Sequence, residues 1–275
     1  MEGIGKLFKF KKRKIELPES YLGARLDGVD MWTMSSYDYV VAAVKNVKET
    51  LKAPMEGHME QALRIFAFLG TFPKLTLYYD YRAPNLDYSK SRSSRENFQA
   101  YYRDAKEEIP HNAPKPRGQS IGSTAWVDAS HGANKKTRKS HTGYVIFLNR
   151  APILWHSKRQ NTIEASTFGS EFIALKACIE AITHLRFKLR MFGIPLEDEP
   201  THIFCDNESV VTNATKVEST LNKKHNCIAY HYTRWNVAAG VVDVSWTPGM
   251  LNLADAFTKQ LTLERRGRLY GEWTY

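Results

Sequence analysis

Two hydrophobic rhythms alternate along the second half of this chain. Short strand-type runs cover 124–128, 143–149 and 152–157, and Asn149-Arg150 falls at a turn between the last two, so the three runs predict a meander. The period then changes. Leu175, Cys178, Ile179, Ile182, Leu185 and Leu189 recur at three- and four-residue steps, which predicts an amphipathic helix over 170–192 that stops at Gly193 and Pro195. Thr201-His-Ile-Phe-Cys205 is a compact strand, with a helix start at Asn207-Glu-Ser. Val241–Trp246 is a fifth strand, and Leu251–Leu261 has a helical pattern. The fourth and fifth strands follow helices and can therefore join in parallel by crossovers. The expected fold class is α/β: a mixed five-stranded sheet flanked by helices.

The first 120 residues are patterned differently. Asp27-Gly28 is a hairpin turn pair between two short strands within 16–35. Val40, Val44, Val47 and Leu51 share a helix face, Pro54 and Gly57 break it, and a second helix is expected over 58–68 before a strand at 75–81. Residues 82–119 turn polar and basic, with a possible short helix at 98–108 and then Pro110, Pro114, Pro116 and Gly118. The expected organisation is a small α+β region at 1–81, a linker at 82–119, an α/β domain at 120–262 and a tail at 263–275.

Four acids stand out against this frame. Asp128 closes the first strand of the meander, Glu171 opens the long helix, Asp206 ends the fourth strand, and Asp255 lies in the helical pattern after the fifth. Carboxylates at strand ends and adjacent helix starts can converge on one end of a sheet. Gathered there, they repel one another unless cations lie between them. Hard oxygen donors suit Mg²⁺, and two such ions roughly 3.5–4 Å apart serve in-line displacement at phosphorus.

Composition narrows the choice. With 43% apolar residues in 275, the chain can bury a core. The net charge of +10 is spread along the chain, as suits a polyanion partner. The basic run Lys6–Lys14, with Phe8 and Phe10 interleaved, is either a frayed arm or a nucleic-acid contact or nuclear-import signal. Cys178, Cys205 and Cys227 form no Cys-x-x-Cys pair and are expected to be reduced, buried thiols. No apolar run reaches membrane-span length, so a soluble intracellular protein is expected, in cytoplasmic particles or the nucleus. No small-molecule cofactor is expected.

The words around the four acids resemble those of the ribonuclease H of Ty1/copia-type retrotransposon Pol polyproteins. Ser140-His-Thr-Gly-Tyr144 looks like the family's Arg-Ser-x-Thr-Gly-Tyr, and Trp155-His-Ser-Lys-Arg-Gln160 like its Trp-x-Ser-Lys-x-Gln. Lys224-His225 with Tyr230-His231, and Ala254-Asp-Ala-Phe-Thr-Lys259, complete the set. The first third is similar to the tail of the copia polymerase, through Tyr21-Leu-Gly and the segments at 32–39, 58–65 and 75–79. The polymerase Tyr-x-Asp-Asp does not occur, so no nucleotidyl transfer by this chain alone is expected, and a truncated element is the simplest reading.

The resemblance implies a ribonuclease H-like fold in which Asp128, Glu171, Asp206 and Asp255 hold two Mg²⁺ ions, with Mn²⁺ as a possible substitute. The implied partners are an RNA–DNA hybrid and, second to it, the remaining polymerase part of the same element. Lys135, Lys136, Arg138 and Lys139 in the loop after the first strand, Lys158, Arg159 and Gln160 after the third, and Asn207 are expected to contact nucleic acid; for the first loop, a solvated turn is the plain alternative. Trp126 and Trp155 are read as core, and His225 and His231 as structural or hybrid-contacting. The chain departs from the family at Gly169, where it has a glutamate, and lacks a histidine shortly before Asp255. Two rival readings remain: an inactive remnant that only binds nucleic acid, and an integrase-type enzyme. Integrases place their glutamate last rather than second.

Overall fold

The computed structural model describes residues 98–134, 137–196, 199–219, 221 and 226–271, with short pieces of the first third: 20–21, 24–27, 32–35, 67–68, 70–71 and 76–83. The chain divides into two compact units, Met1–Tyr78 with Thr274–Tyr275, and Tyr79–Trp273.

In the first unit, β1 (Ser20–Tyr21), β2 (Ala24–Asp27), β3 (Trp32–Ser35) and β4 (Thr76–Tyr79) form a sheet in that order. Strands β2 and β3 are antiparallel with Leu26 opposite Met34, the hairpin that Asp27-Gly28 predicts. The basic arm and the helix expected from Ser36 lie outside the described residues. So does most of the helix expected over 58–68.

The second unit holds the mixed sheet. Its strands are β5 (Ser123–Ser130), β6 (His141–Leu148), β7 (Ala151–Arg159), β8 (Thr201–Cys205) and β9 (Val242–Trp246). They lie in the order β7-β6-β5-β8-β9. The first three form the antiparallel meander, while β8 and β9 join parallel to β5 after helical crossovers. Helix α1 (Thr167–Met191) packs on β5 and β6. Helices α2 (Glu208–Thr215) and α3 (Cys227–Ala238) connect β8 to β9, and α4 (Leu263–Tyr270) follows. This is the mixed five-stranded α/β fold expected from the sequence.

The long helix carries its predicted apolar stripe into the core. Phe172, Leu175, Cys178, Ile179 and Ile182 are buried with Val127, Tyr144, Ile146 and Ile203. On other strand positions, Trp126 stacks on Phe204 at 5.0 Å and meets Phe147 edge-on at 5.3 Å, so its ring is spent on packing. Trp155, on edge strand β7, keeps 46% of its surface exposed. Cys178 and Cys205 are buried free thiols, whereas Cys227 is exposed at the start of α3 and corrects the expectation of burial.

Residues 98–119, expected as a linker, lie in the second unit. Phe98 is buried, with the Arg234 guanidinium 4.7 Å from its ring centre. Tyr102 Oη is 2.8 Å from His231 Nδ1. Glu107 accepts hydrogen bonds from Arg186 at 2.7 Å and from Arg190 at 2.5 Å. The Arg186 side chain is nearly buried, and a buried cation requires such a partner.

The turn before α4 is 3₁₀ rather than α-helical, at Gly249–Leu251 and Leu253–Phe257. The second turn presses on β6 at Gly143. A Cβ on that glycine would lie 2.5 Å from Thr258 Cγ2, 2.8 Å from Phe257 Cβ and 3.1 Å from the Ala254 carbonyl oxygen. The Thr-Gly-Tyr word thus has a steric reason: the glycine leaves room for the turn, and Tyr144 stacks on His156 at 4.9 Å. Gly143→Ala should destabilise the domain by roughly 1–3 kcal/mol. Urea denaturation with an unchanged m-value would show it, and a wild-type midpoint would contradict this packing.

Candidate active site

Strands β5 and β8 run side by side in parallel, with Val127 paired to Cys205. The next residue on each is an aspartate, so register alone puts Asp128 and Asp206 at the same edge of the sheet. Asn252 brings in the third acid. Its Nδ2 donates to the Val127 carbonyl at 3.0 Å, while its Oδ1 caps the 3₁₀ turn by accepting from Ala254 N. Asp255 then lies over the end of β5. Glu171 arrives from α1. That helix begins at Thr167 behind Ser166, whose hydroxyl accepts from Gly169 N, so Glu171 lies a turn deeper than its expected place in the first turn.

The four acids meet in one cleft. Carboxylate oxygens of Asp128, Asp206 and Asp255 lie within 4.8 Å of one another, and Glu171 reaches Asp206 and Cys205 within the same limit. Asp128 and Asp255 are buried; Glu171 and Asp206 are partly so. The open wall is lined by Ser130, His131, Thr167, Asn207 and Lys259.

Each carboxylate meets a different environment. Burial pushes the Glu171 carboxyl up to about 7, helped by the neighbouring charges of Asp206 and Asp128 against a hydrogen bond from Asn207. Burial and Asp128 raise Asp206 as well. The other two have cations against them. Lys259 Nζ lies 2.9 Å from Asp255 Oδ1 and 3.3 Å from Asp128 Oδ2, and Arg265 on α4 pairs with Asp255 Oδ2. Thr258 donates its hydroxyl to Asp128 Oδ2.

The donor set suits a hard divalent cation. Burial drives the Cys205 thiol far up, leaving it neutral and a poor ligand, so the available donors are carboxylate oxygens. Glu171 Oε2 is buried without a hydrogen-bond partner, as an oxygen reserved for a ligand would be.

The expected nucleic-acid contacts divide. Lys158 and Arg159 are exposed at the end of β7, beside an open groove also lined by Asn161, Lys176 and Ile228. That groove and the acidic cleft flank the start of α1, with Ala165 on one and Thr167 on the other. Arg138 is exposed and Lys139 half-buried in the loop after β5; Lys135 and Lys136 lie outside the described residues, as does His225. Gln160 lines the same groove as Lys158 and Arg159 but has a structural role as well. It is buried, and its Nε2 donates to Thr142 Oγ1 at 3.0 Å and to the Ser170 carbonyl at 2.8 Å, tying β6 to α1. Asn207 caps α2 through Oδ1, accepting from Ser209 N and Val210 N.

Sequence reasoning gave no role to Lys259, Thr258, Arg265 or Asn252. A lysine four residues after an aspartate in a helical pattern, and an asparagine two residues before a helical run's first free N–H, were the available signals. Arg265 lay in the presumed tail and gave none.

No family model matches the chain. It is similar to Ty1/copia-type Pol polyproteins. The retrovirus-related Pol polyprotein from transposon RE1 of Arabidopsis thaliana is 28% identical over 146 residues, which is 53% of this chain and 10% of that protein. The one from transposon TNT 1-94 of Nicotiana tabacum is 28% identical over 134 residues, 49% of this chain and 10% of its own. The matched region thus spans about a tenth of these relatives. Among solved structures, RNase H1 of the archaeon Halobacterium salinarum is similar with a TM-score of 0.38 and 16% identity, over 51% of this chain and 95% of that one. LC11-RNase H1 in complex with an RNA/DNA hybrid gives 0.38 and 17%, over 50% and 93%.

Two outcomes follow from the geometry. Glu171 binds its proton more tightly folded than unfolded, so without divalent ions its contribution to stability is greatest below about 4.5 and is lost as pH rises through about 7. The loss should be on the order of 2–3 kcal/mol and absent in Glu171→Gln; stability curves in EDTA from pH 5 to 8 would measure it, and parallel curves would refute it. Ending the chain after Thr262 removes α4 and Arg265. That should lower the melting temperature by several degrees, because Tyr270 Oη also holds the Leu253 carbonyl at 2.5 Å.

Proposed function

We propose that the acidic cleft is a ribonuclease H-type nuclease site that hydrolyses the RNA strand of an RNA–DNA hybrid. The observation that carries this reading is the convergence of Asp128, Glu171, Asp206 and Asp255 at one sheet edge. Similarity to retrotransposon Pol polyproteins supports the substrate class, since such elements copy RNA into DNA.

The four carboxylates would hold two Mg²⁺ ions, with Asp206 near both Glu171 and the Asp128–Asp255 pair. When bound, such ions lower the pKa of an attacking water and stabilise the leaving 3′-oxygen. The chain's own residues supply placement. Asn207 lies beside Glu171 and opposes the upward shift of its carboxyl by hydrogen bonding. Lys158 and Arg159 offer phosphate contacts in the groove across the start of α1. Recognition of the RNA strand would rest on its 2′-hydroxyls, the groups that DNA lacks. His131 also lines the cleft, with its Nδ1 3.3 Å from Ser170 Oγ.

The alternative is a remnant that binds nucleic acid without cutting it. A labelled hybrid, purified protein and Mg²⁺, with EDTA as control, separate the two: binding without cleavage would establish the remnant. Asp206→Asn should leave a folded, hybrid-binding protein while cleavage falls by more than about a hundredfold, since losing even a residue that supports a metal ligand costs 10–100-fold. An undiminished rate would remove Asp206 from the site.

A further inference from the structure

Among the described residues, two cations meet the cleft carboxylates, and only one of them is also held by a group outside those carboxylates. Arg265 Nη2 pairs with Asp255 and also donates to the Gly249 carbonyl at 2.9 Å, so it is anchored at two points. The Lys259 ammonium meets the oxygens of Asp128 and Asp255 only across the cleft mouth, and its side chain is 42% exposed. Among the described residues, it meets no acceptor outside these two carboxylates. A four-carbon stem in solvent can withdraw its charge at little cost.

The two carboxylates that Lys259 touches are the ones grouped with Asp206. We infer that Lys259 is a tethered counter-cation that competes with a divalent ion for the Asp128–Asp255 side of the cleft, and so sets how tightly that ion binds. This rests on the cleft being a divalent-ion site. An ammonium and a divalent ion cannot share the same lone pairs, and at such spacing they repel. Lys259 therefore offsets the repulsion between Asp128 and Asp255 and must swing outward when an ion takes those oxygens. It is a positioning residue, acting through the carboxylates rather than on the substrate.

Mn²⁺ alone, titrated calorimetrically into the full chain after EDTA stripping and without nucleic acid, tests this. Lys259→Gln should bind Mn²⁺ at least roughly tenfold more tightly than wild type, because removing one adjacent charge moves an ionic equilibrium by about one to three log units. Lys259→Arg, which keeps the charge, should stay near wild type. In EDTA, Lys259→Gln should melt lower than wild type and gain more from added Mn²⁺. Equal or weaker binding by Lys259→Gln, or equal tightening by Lys259→Arg, overturns the inference and leaves the cleft's metal reading intact. If no variant binds Mn²⁺ at all, both fall together.

Discussion

Like-charge repulsion is the constraint around which this domain is built. Four carboxylates at one edge of a sheet, two of them buried, cannot all be ionised without compensation. The protein divides the problem. Asp128 and Asp255 receive Lys259, Arg265 and the Thr258 hydroxyl, while Glu171 and Asp206 receive little and are pushed toward their protonated forms. The compensated pair is the more buried one, and Glu171 and Asp206 are only partly buried. Any cation that enters thus meets the carboxylates with the most to gain from it.

That division depends on backbone geometry more than on the acids. Parallel pairing of β5 with β8 fixes Asp128 beside Asp206, whatever side chains follow. Asp255 depends on a 3₁₀ turn pressed against β6, which requires the missing side chain at Gly143 and the two-ended amide of Asn252. Ser157 adds a tie from β7, donating to the Phe257 carbonyl at 2.6 Å. Most residues in the recognisable words around the acids therefore do structural work. Gln160 shows this most directly: its side-chain amide braces β6 against the start of α1.

The elements of the second unit were legible in the sequence because each announces itself locally. The apolar stripe of α1, the three-strand meander and the compact strand ending at Cys205 need no tertiary information. The four acids were legible for the same reason, since each stands at a strand end or beside a helical run. Two kinds of feature were not. The turn carrying Asp255 is 3₁₀ because it is held by Asn252 and β6, and a helical hydrophobic pattern does not distinguish that from an α-helix. Residues 98–119 read as a linker because their partners, Arg186, Arg190 and Arg234, are distant in sequence, and α4 as a tail because its ion pair with Asp255 leaves no mark in the hydrophobic pattern. A proline-rich composition marks a loop, yet says nothing about whether that loop is docked.

The charge pattern also explains why the cleft's cations come from one short stretch. Thr258, Lys259 and Arg265 all follow Asp255 within ten residues, so the segment that delivers the last carboxylate also delivers most of its compensation. Asp255 can then be buried as the turn forms, without waiting for a charge from elsewhere in the chain. Glu171 and Asp206 have no such local cation, and their elements, α1 and β8, are stabilised instead by apolar packing. The cleft thus combines a self-neutralising segment with a hydrophobic scaffold that carries two carboxylates lacking a cation of their own.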